Sequence, residues 1–227
     1  MDQGVKLLTG EGEPFEDPER YRRLVGKLNY LTITRPDIAF PVSVVSQFMS
    51  APIQTHWEAA IRIVKYLKGV PGKWILYADH GYMRVEAFSD ADWVGSPGDR
   101  KSMTGYCVFV GGNLVSWKSK KQNVVSRSSA ESEYRAMAHV ASEIVWVRNI
   151  LKEVGVEVKL PIDLWCDNCA AIHIANNPVF HERTKHIEVD CHFIREKMEQ
   201  GLISLTHVRS GDQLADIFTK GLCKNRV

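Results

Sequence analysis

Residues 83–121 hold three β-rich runs, and the last two, in GYCVFVGGNLVSW, flank Gly111-Gly112-Asn113. That tripeptide between apolar runs is a hairpin signal. Helical periodicity then starts at Ser128 and continues to about Val154. A strand IDLWC follows at 162–166, then a short helix after Asn168, a helix at 185–200, a strand LISLTHV and a closing helix after Ser210. The order β-β-β-α-β-α-α-β-α predicts an α/β fold, a mixed sheet with helices packed on it.

Upstream, the pattern is helical throughout. Asp17 caps a helix with Pro18 at its first position and Glu19 in its first turn, and Tyr21, Leu24, Val25, Leu28 and Leu31 recur on one face. A second helix is expected from about Asp37 through Val45 and Phe48. A third carries Trp57, Ile61, Val64 and Leu67 before GVPGK ends it. Residues 1–17 are expected to be a flexible segment, 18–78 a small helical unit without a reaction centre, and 83–222 the sheet domain.

Composition excludes several classes. With 227 residues, 44% hydrophobic content and net charge +2, the chain is long enough for a large core and is not disordered. No stretch approaches the roughly 20 apolar residues of a membrane span, and the N-terminus lacks a signal-peptide core, so an intracellular, cytoplasmic protein is expected. Five cysteines, an odd number without framework spacing, point to reduced thiols. Charge is clustered even though it is balanced. WKSKKQNVVSR gathers Lys118, Lys120, Lys121 and Arg127, and FHERTKH adds Arg183 and Lys185 beside His181 and His186. Such clusters suit a polyanion, or simply a solvated surface.

The acids invite closer reading. In FSDADW a strand delivers Asp90 and Asp92 where its apolar residues stop. Phe88 and Glu86 share the face of Asp90, while Ser89, Ala87 and Val85 point the other way. In SRSSAESEYRAMA, Glu131 fits a capping box with Ser128 and can pair with Arg135. Glu133 has no such structural task, yet lies one turn before Met137, at the head of the stripe formed with Val140, Ala141, Ile144, Val147 and Leu151. Asp167 ends the strand IDLWCD, as an active-site acid or as the cap of the next helix. In SGDQLADIFTKGL, Leu214, Ile217 and Phe218 form an apolar face and Asp212 and Asp216 share the other. A Ser210 cap with Gln213 as box partner explains Asp212 structurally, and periodicity does not choose between the two acids.

Two carboxylates about 4 Å apart repel by roughly 4 kcal/mol at an effective dielectric near 20. Acids from four segments converging in one sheet therefore call for cations. Hard divalent ions with oxygen ligands, Mg²⁺ above all, suit them, and a pair of ions can activate a water and stabilise the leaving oxygen of a phosphodiester. The other constellations are weaker. The spacing of His181, His186, Cys191 and His192 matches no zinc pattern, and Cys191 falls on a helix stripe with Ile187, Ile194 and Met198. Cys166, although part of CDNC, alternates as a core residue.

Three long motifs, FSDADWVGSPGDRKSMTGYCVFVGGNLVSWKSKKQNVVSRSSAESEYRAM, LWCDNCAAIHIANNPVFHERTKHIEVDCHFIREK and VRSGDQLADIFTKGL, closely resemble the ribonuclease H domain of copia-type retrotransposon Pol polyproteins. Residues 18–78 resemble the end of the reverse transcriptase region upstream of it. The resemblance implies a ribonuclease H-like fold that cuts the RNA strand of RNA–DNA hybrids with two Mg²⁺ ions. It implies Asp90, Glu133, Asp167 and Asp216 as catalytic metal ligands. The basic clusters, with Lys118, Lys120, Lys121, Arg127, Arg183, Lys185 and His186, are then expected from their charge to hold the nucleic-acid backbone. The reverse transcriptase portion of the same polyprotein is the implied partner. Asp92 matches no ligand position and reads as a turn acid. HVRSGDQ is too short for the His-bearing loop of many ribonucleases H. The competing readings are a remnant that binds hybrid without cutting it and a strand-transfer enzyme on a related fold.

Overall fold

The computed structural model describes residues 7, 12–96, 98–177 and 188–221. Among them a five-stranded sheet has the order β3-β2-β1-β4-β5. Strands β1 (Val85–Asp92), β2 (Met103–Val110) and β3 (Asn113–Lys121) pair antiparallel. Strands β4 (Ile162–Cys166) and β5 (Ile203–His207) continue from β1 in parallel. The hairpin forms at the expected glycines: Gly111 and Gly112 take φ of 56° and 75°, the left-handed pair that a two-residue turn matched to strand twist requires.

Helix α4 (Ser129–Glu153) lies on one face of the sheet. Val85 and Ala87 of β1, Tyr106 and Val108 of β2 and Leu164 of β4 meet its Met137, Val140, Ala141 and Ile144 in the main core. Helices α5 (Cys169–Asn176) and α6 (Glu188–Glu199) extend this layer through Ala171, Ala175, Cys191 and Ile194. Cys191 is thus a core residue, as its stripe predicts. Ile187 of that stripe and the cluster His181, Arg183, Lys185 and His186 lie outside the described residues.

Helices α1 (Pro18–Leu31), α2 (Ala39–Val45) and α3 (Gln54–Gly69) form a second core around Tyr21, Val25, Ile38, Val42 and Ala60. The Asp17 cap holds, with its carboxylate accepting from the Arg20 N–H at 2.9 Å. Three expectations change here. The second helix is broken into a 3-10 turn at Pro36–Ile38, α2, and another 3-10 turn at Ser46–Phe48. The segment carries two prolines and a run of β-branched valines, all poor at sustaining a long helix. The buried face of α3 is His56, Ala59, Ala60 and Ile63, whereas Val64 is exposed. The stretch before α1 is not all loose: Phe15 stacks on Trp57, and its N–H donates to the Pro52 carbonyl at 3.0 Å.

The helical unit covers the other face of the sheet. Ala39 packs against Cys107 of β2 and against Ala215 and Phe218, with Phe88, Phe109 and Trp117 around them. The Trp117 indole N–H donates to the Thr32 carbonyl at 3.0 Å, and the Ser43 and Ser119 hydroxyls lie 2.9 Å apart. The two units predicted from sequence therefore share a core. Enlarging Ala39 to Leu is expected to overpack this junction and cost about 1–3 kcal/mol, read as a lower urea midpoint at unchanged slope.

Candidate active site

Asp90 sits at the end of β1, and the register of β1 with β4 decides its neighbour. Phe88 pairs with Trp165, so two residues on Asp90 comes level with Asp167. Adjacent strands lie about 4.8 Å apart, so the two acids emerge side by side. Asp167 is not the helix cap: that is Asn168, whose side chain accepts from the Ala171 N–H at 3.0 Å. Instead Asp167 receives the Ser210 hydroxyl at 2.9 Å.

Glu133 arrives from the first turns of α4. Ser128 caps the helix, accepting from the Glu131 N–H at 3.2 Å. Glu131 is occupied locally, as expected, by the Arg135 guanidinium at 2.9 Å, but its second oxygen reaches the Arg127 N–H at 2.8 Å, one residue before the box position. A buried amide fixes this end of the helix against the sheet: Gln122 donates to the Thr104 hydroxyl at 3.0 Å and to the Ser132 carbonyl at 2.9 Å. Glu133 then turns inward, 5% exposed, and accepts from the Ala91 backbone N–H next to Asp90. A Glu133 carboxylate oxygen, the Cys166 sulfur and an Asp167 carboxylate oxygen lie within 4.8 Å of one another.

The fourth acid comes from the C-terminal segment, where the expected helix is a 3-10 turn at Leu214–Phe218. Its cap is Gln213 rather than Ser210. The Gln213 carbonyl oxygen accepts from the Ala215 N–H at 3.1 Å, and its amide donates to the Ser89 carbonyl at 3.0 Å, stitching the turn to β1. Leu214 is half exposed, and Ala215, Asp216 and Phe218 point inward. Asp216 is 5% exposed and Asp212 lies on the surface. Residues 207–213 run directly from β5 to this turn.

Three residues of this region were missed by the sequence reading, and of these only Gly105 carried a signal. The Thr219 hydroxyl donates to Asp90 Oδ2. The Lys220 ammonium lies 2.8 Å from Asp216 Oδ1 and 3.3 Å from Asp90 Oδ2. Gly105, opposite Asp90 in the ladder, lets the turn approach: a Cβ there would fall 2.6 Å from the Thr219 methyl and 2.8 Å from Phe218 Cβ. A glycine inside a strand is the sign of such an approach.

Burial dominates the electrostatics. It pushes Asp90 up to about 6, against the pull of Lys220 and the Thr219 hydroxyl, and the charges of Asp216 and Asp167 add to the rise. It pushes Glu133 up to about 9, with the charges of Asp90 and Asp167 adding. Burial also raises the Cys166 thiol, followed by the charge of Glu133, so the sulfur stays protonated and donates toward Glu133 at 3.9 Å. What faces the centre is then a set of carboxylate oxygens, the donors that hard divalent cations take. This donor set fits such an ion. The protonated sulfur does not add a soft ligand.

The basic cluster is divided by the strand period. Lys118, Lys120 and Lys121 all border a cavity of about 210 Å³ beside His139 and Glu143 of α4, but the Lys121 ammonium is engaged elsewhere. Lys121 projects from the opposite face, 2.7 Å from Gln47 Oε1 and 2.9 Å from Asp99 Oδ2, and joins the sheet to the helical unit. Arg127 is exposed before α4. Asp92 closes β1 with its carbonyl accepting from the Gly95 N–H at 3.2 Å, which is a turn position. Cys166 is buried, Cys169 is exposed, and both thiols are free.

Comparison with known proteins places the chain. Over 224 residues it is 43% identical to the retrovirus-related Pol polyprotein from transposon RE2 and 44% identical to that from transposon RE1, both of Arabidopsis thaliana, across 99% of this chain. It is 36% identical over 207 residues, 91% of its length, to the corresponding polyprotein from transposon TNT 1-94 of Nicotiana tabacum. The chain belongs to the retrovirus-related Pol polyproteins of transposons. It spans 15% of the length of each of these three relatives. No protein-family model matches it. Among solved structures, LC11-RNase H1 aligns at a TM-score of 0.44 and 15% identity over 60% of this chain and 92% of that one. The foamy viral protease-reverse transcriptase in complex with RNA/DNA hybrid aligns at 0.49 and 12% identity over 88% of this chain and 26% of that one. The strand order, the mixed register and the helix layer described above make the fold of this Pol segment ribonuclease H-like.

Gly105→Ala is expected to push the turn at Phe218 and Thr219 away from β2 and cost about 1–3 kcal/mol of stability in chemical denaturation. A carboxyl whose folded pKa is raised stabilises the fold below its unfolded pKa and loses that contribution as pH rises through the folded value. In chelator, the melting temperature is therefore expected to fall as pH goes from about 5 to about 9. Glu133→Gln is expected to flatten that fall in a thermal-melt series.

Proposed function

We propose that this segment is the ribonuclease H of a copia-type retrotransposon Pol polyprotein, a metal-dependent endonuclease that cuts the RNA strand of RNA–DNA hybrids. The observation that carries the reading is the meeting of carboxylates from a strand end, a helix start and a second strand end. Glu133 feels the charges of both Asp90 and Asp167, and Asp90 feels those of Asp167 and Asp216. Asp90, Glu133, Asp167 and Asp216 would hold divalent ions, two Mg²⁺ in this reading. When bound, such ions supply Lewis acidity, activating a water toward a phosphodiester and stabilising the departing oxygen.

The residues of the chain supply position. The Ala91 N–H orients Glu133, the Thr219 hydroxyl orients Asp90, and the Ser210 hydroxyl orients Asp167. Lys118, Lys120 and Arg127 remain available to backbone phosphates, and such contacts position a duplex without reading its sequence. Lys121 is engaged with Gln47 and Asp99, so its part in holding nucleic acid is the weaker. The reverse transcriptase portion of the same polyprotein is the proposed partner. No helix among the described residues is long and apolar enough to cross a membrane, and a cytoplasmic site of action is proposed with the rest.

The test is cleavage of an end-labelled RNA–DNA hybrid by the full chain. Cutting of the RNA strand is expected with Mg²⁺ and none with chelator. Asp90→Asn, Glu133→Gln and Asp167→Asn are each expected to reduce the rate on the order of 100-fold or more, with hybrid affinity nearly kept. Full activity in Asp90→Asn refutes the assignment.

A further inference from the structure

We propose that Lys220 is a built-in cation that holds the acid cluster together without metal, and that a divalent ion must displace its ammonium to bind. The proposal rests on the reading of the cluster as a metal site. Its basis is geometric. The Lys220 Nζ lies 2.8 Å from Asp216 Oδ1 and 3.3 and 3.4 Å from the two Asp90 oxygens, so one ammonium spans two of the four acids. The Asp90 and Asp216 side chains are 2% and 7% exposed, whereas that of Lys220 is 41% exposed. The acids are thus fixed in the interior while the lysine reaches in from the rim.

Its tether is short. Lys220 stands four residues after Asp216, and its own N–H donates to the Asp216 carbonyl at 2.9 Å, so the ammonium and one of its acids ride on the same turn. Thr219, the residue between turn and lysine, donates to the other acid. An ammonium is a compact charge with three donors on a flexible four-carbon stem, able both to fill such a position and to swing out of it. A Mg²⁺ ion needs oxygen ligands at about 2.0–2.1 Å in near-octahedral array. The oxygens that such an ion would take are those that Lys220 occupies, so the two cations compete. The consequence is a site whose buried acids are neutralised at low metal and which loads only when divalent ions outcompete its own side chain.

The experiment compares the full-length wild type with Lys220→Met and Lys220→Arg. Mn²⁺ is titrated by calorimetry, and thermal unfolding is followed with chelator and with Mn²⁺. Lys220→Met is expected to bind Mn²⁺ roughly tenfold more tightly than wild type, by removal of the competing charge. It is also expected to melt lower in chelator and to regain that loss with Mn²⁺. Lys220→Arg keeps a cation and is expected to stay near wild type. Equal or weaker Mn²⁺ binding by Lys220→Met overturns the displacement idea and leaves the metal reading intact. Absence of Mn²⁺ binding in all three proteins overturns both. Should Lys220→Met not fold, acetylation of wild-type Lys220 is measured by mass spectrometry, with exposed Lys118 as internal control. Acetylation several-fold faster with Mg²⁺ than with chelator is expected, and an unchanged rate overturns the proposal.

Discussion

Asp90 and Glu133 are almost wholly buried, and each lies in the field of other carboxylates. That concentration of negative charge is the constraint around which the rest of the domain is arranged. Desolvation opposes charge on both groups, and mutual repulsion adds to it, so the cluster persists only through what surrounds it. The chain supplies one N–H, from Ala91, two hydroxyls, from Thr219 and Ser210, and one ammonium, from Lys220. Two of the four come from the C-terminal turn and a third from the segment just before it. The position of that turn therefore matters as much to the site as the acids themselves.

The turn in turn depends on the helical unit. Ala39 of α2 packs on Ala215 and Phe218, the residues that flank Asp216, and Trp117 and Ser119 tie the same unit to β3. On its other side the turn needs Gly105, whose missing side chain leaves room for Thr219. A segment that resembles the end of a polymerase region thus supports one wall of the proposed nuclease centre. This is a packing relation, not a chemical one. It accounts for the face that the helical unit buries against the sheet.

Local rules gave much of this structure. The caps at Asp17 and Ser128, the glycine hairpin, the strand IDLWC and the extent of α4 all follow from short-range chemistry, and all stand where the residues indicate. Glu133 could be separated from Glu131 because a helix puts them on different faces and Glu131 has local partners. Short-range rules failed where tertiary contact outweighed them. The Asp37–Phe48 helix is interrupted, with Pro41 in the first turn of α2 unable to donate back to Asp37, Val64 of α3 lies outside the buried face, and the last helix shrinks to a 3-10 turn held by Gln213 to β1. Lys121 counted as one of a basic cluster by its neighbours in sequence, but strand alternation sends it to the opposite face.

By itself the sequence determined which residues could serve as buried acids, on which kind of element each sits, and the family to which they belong, because caps, periods and motifs act over a few residues. It left open how those acids are kept tolerable. The pairing of β1 with β4 that sets Asp90 level with Asp167, the approach of Thr219 across Gly105, and the ammonium of Lys220 between Asp90 and Asp216 were decided by the tertiary structure alone. The reason is physical: each joins groups far apart in the chain, and no local preference encodes which distant partner a strand edge or a side chain will meet.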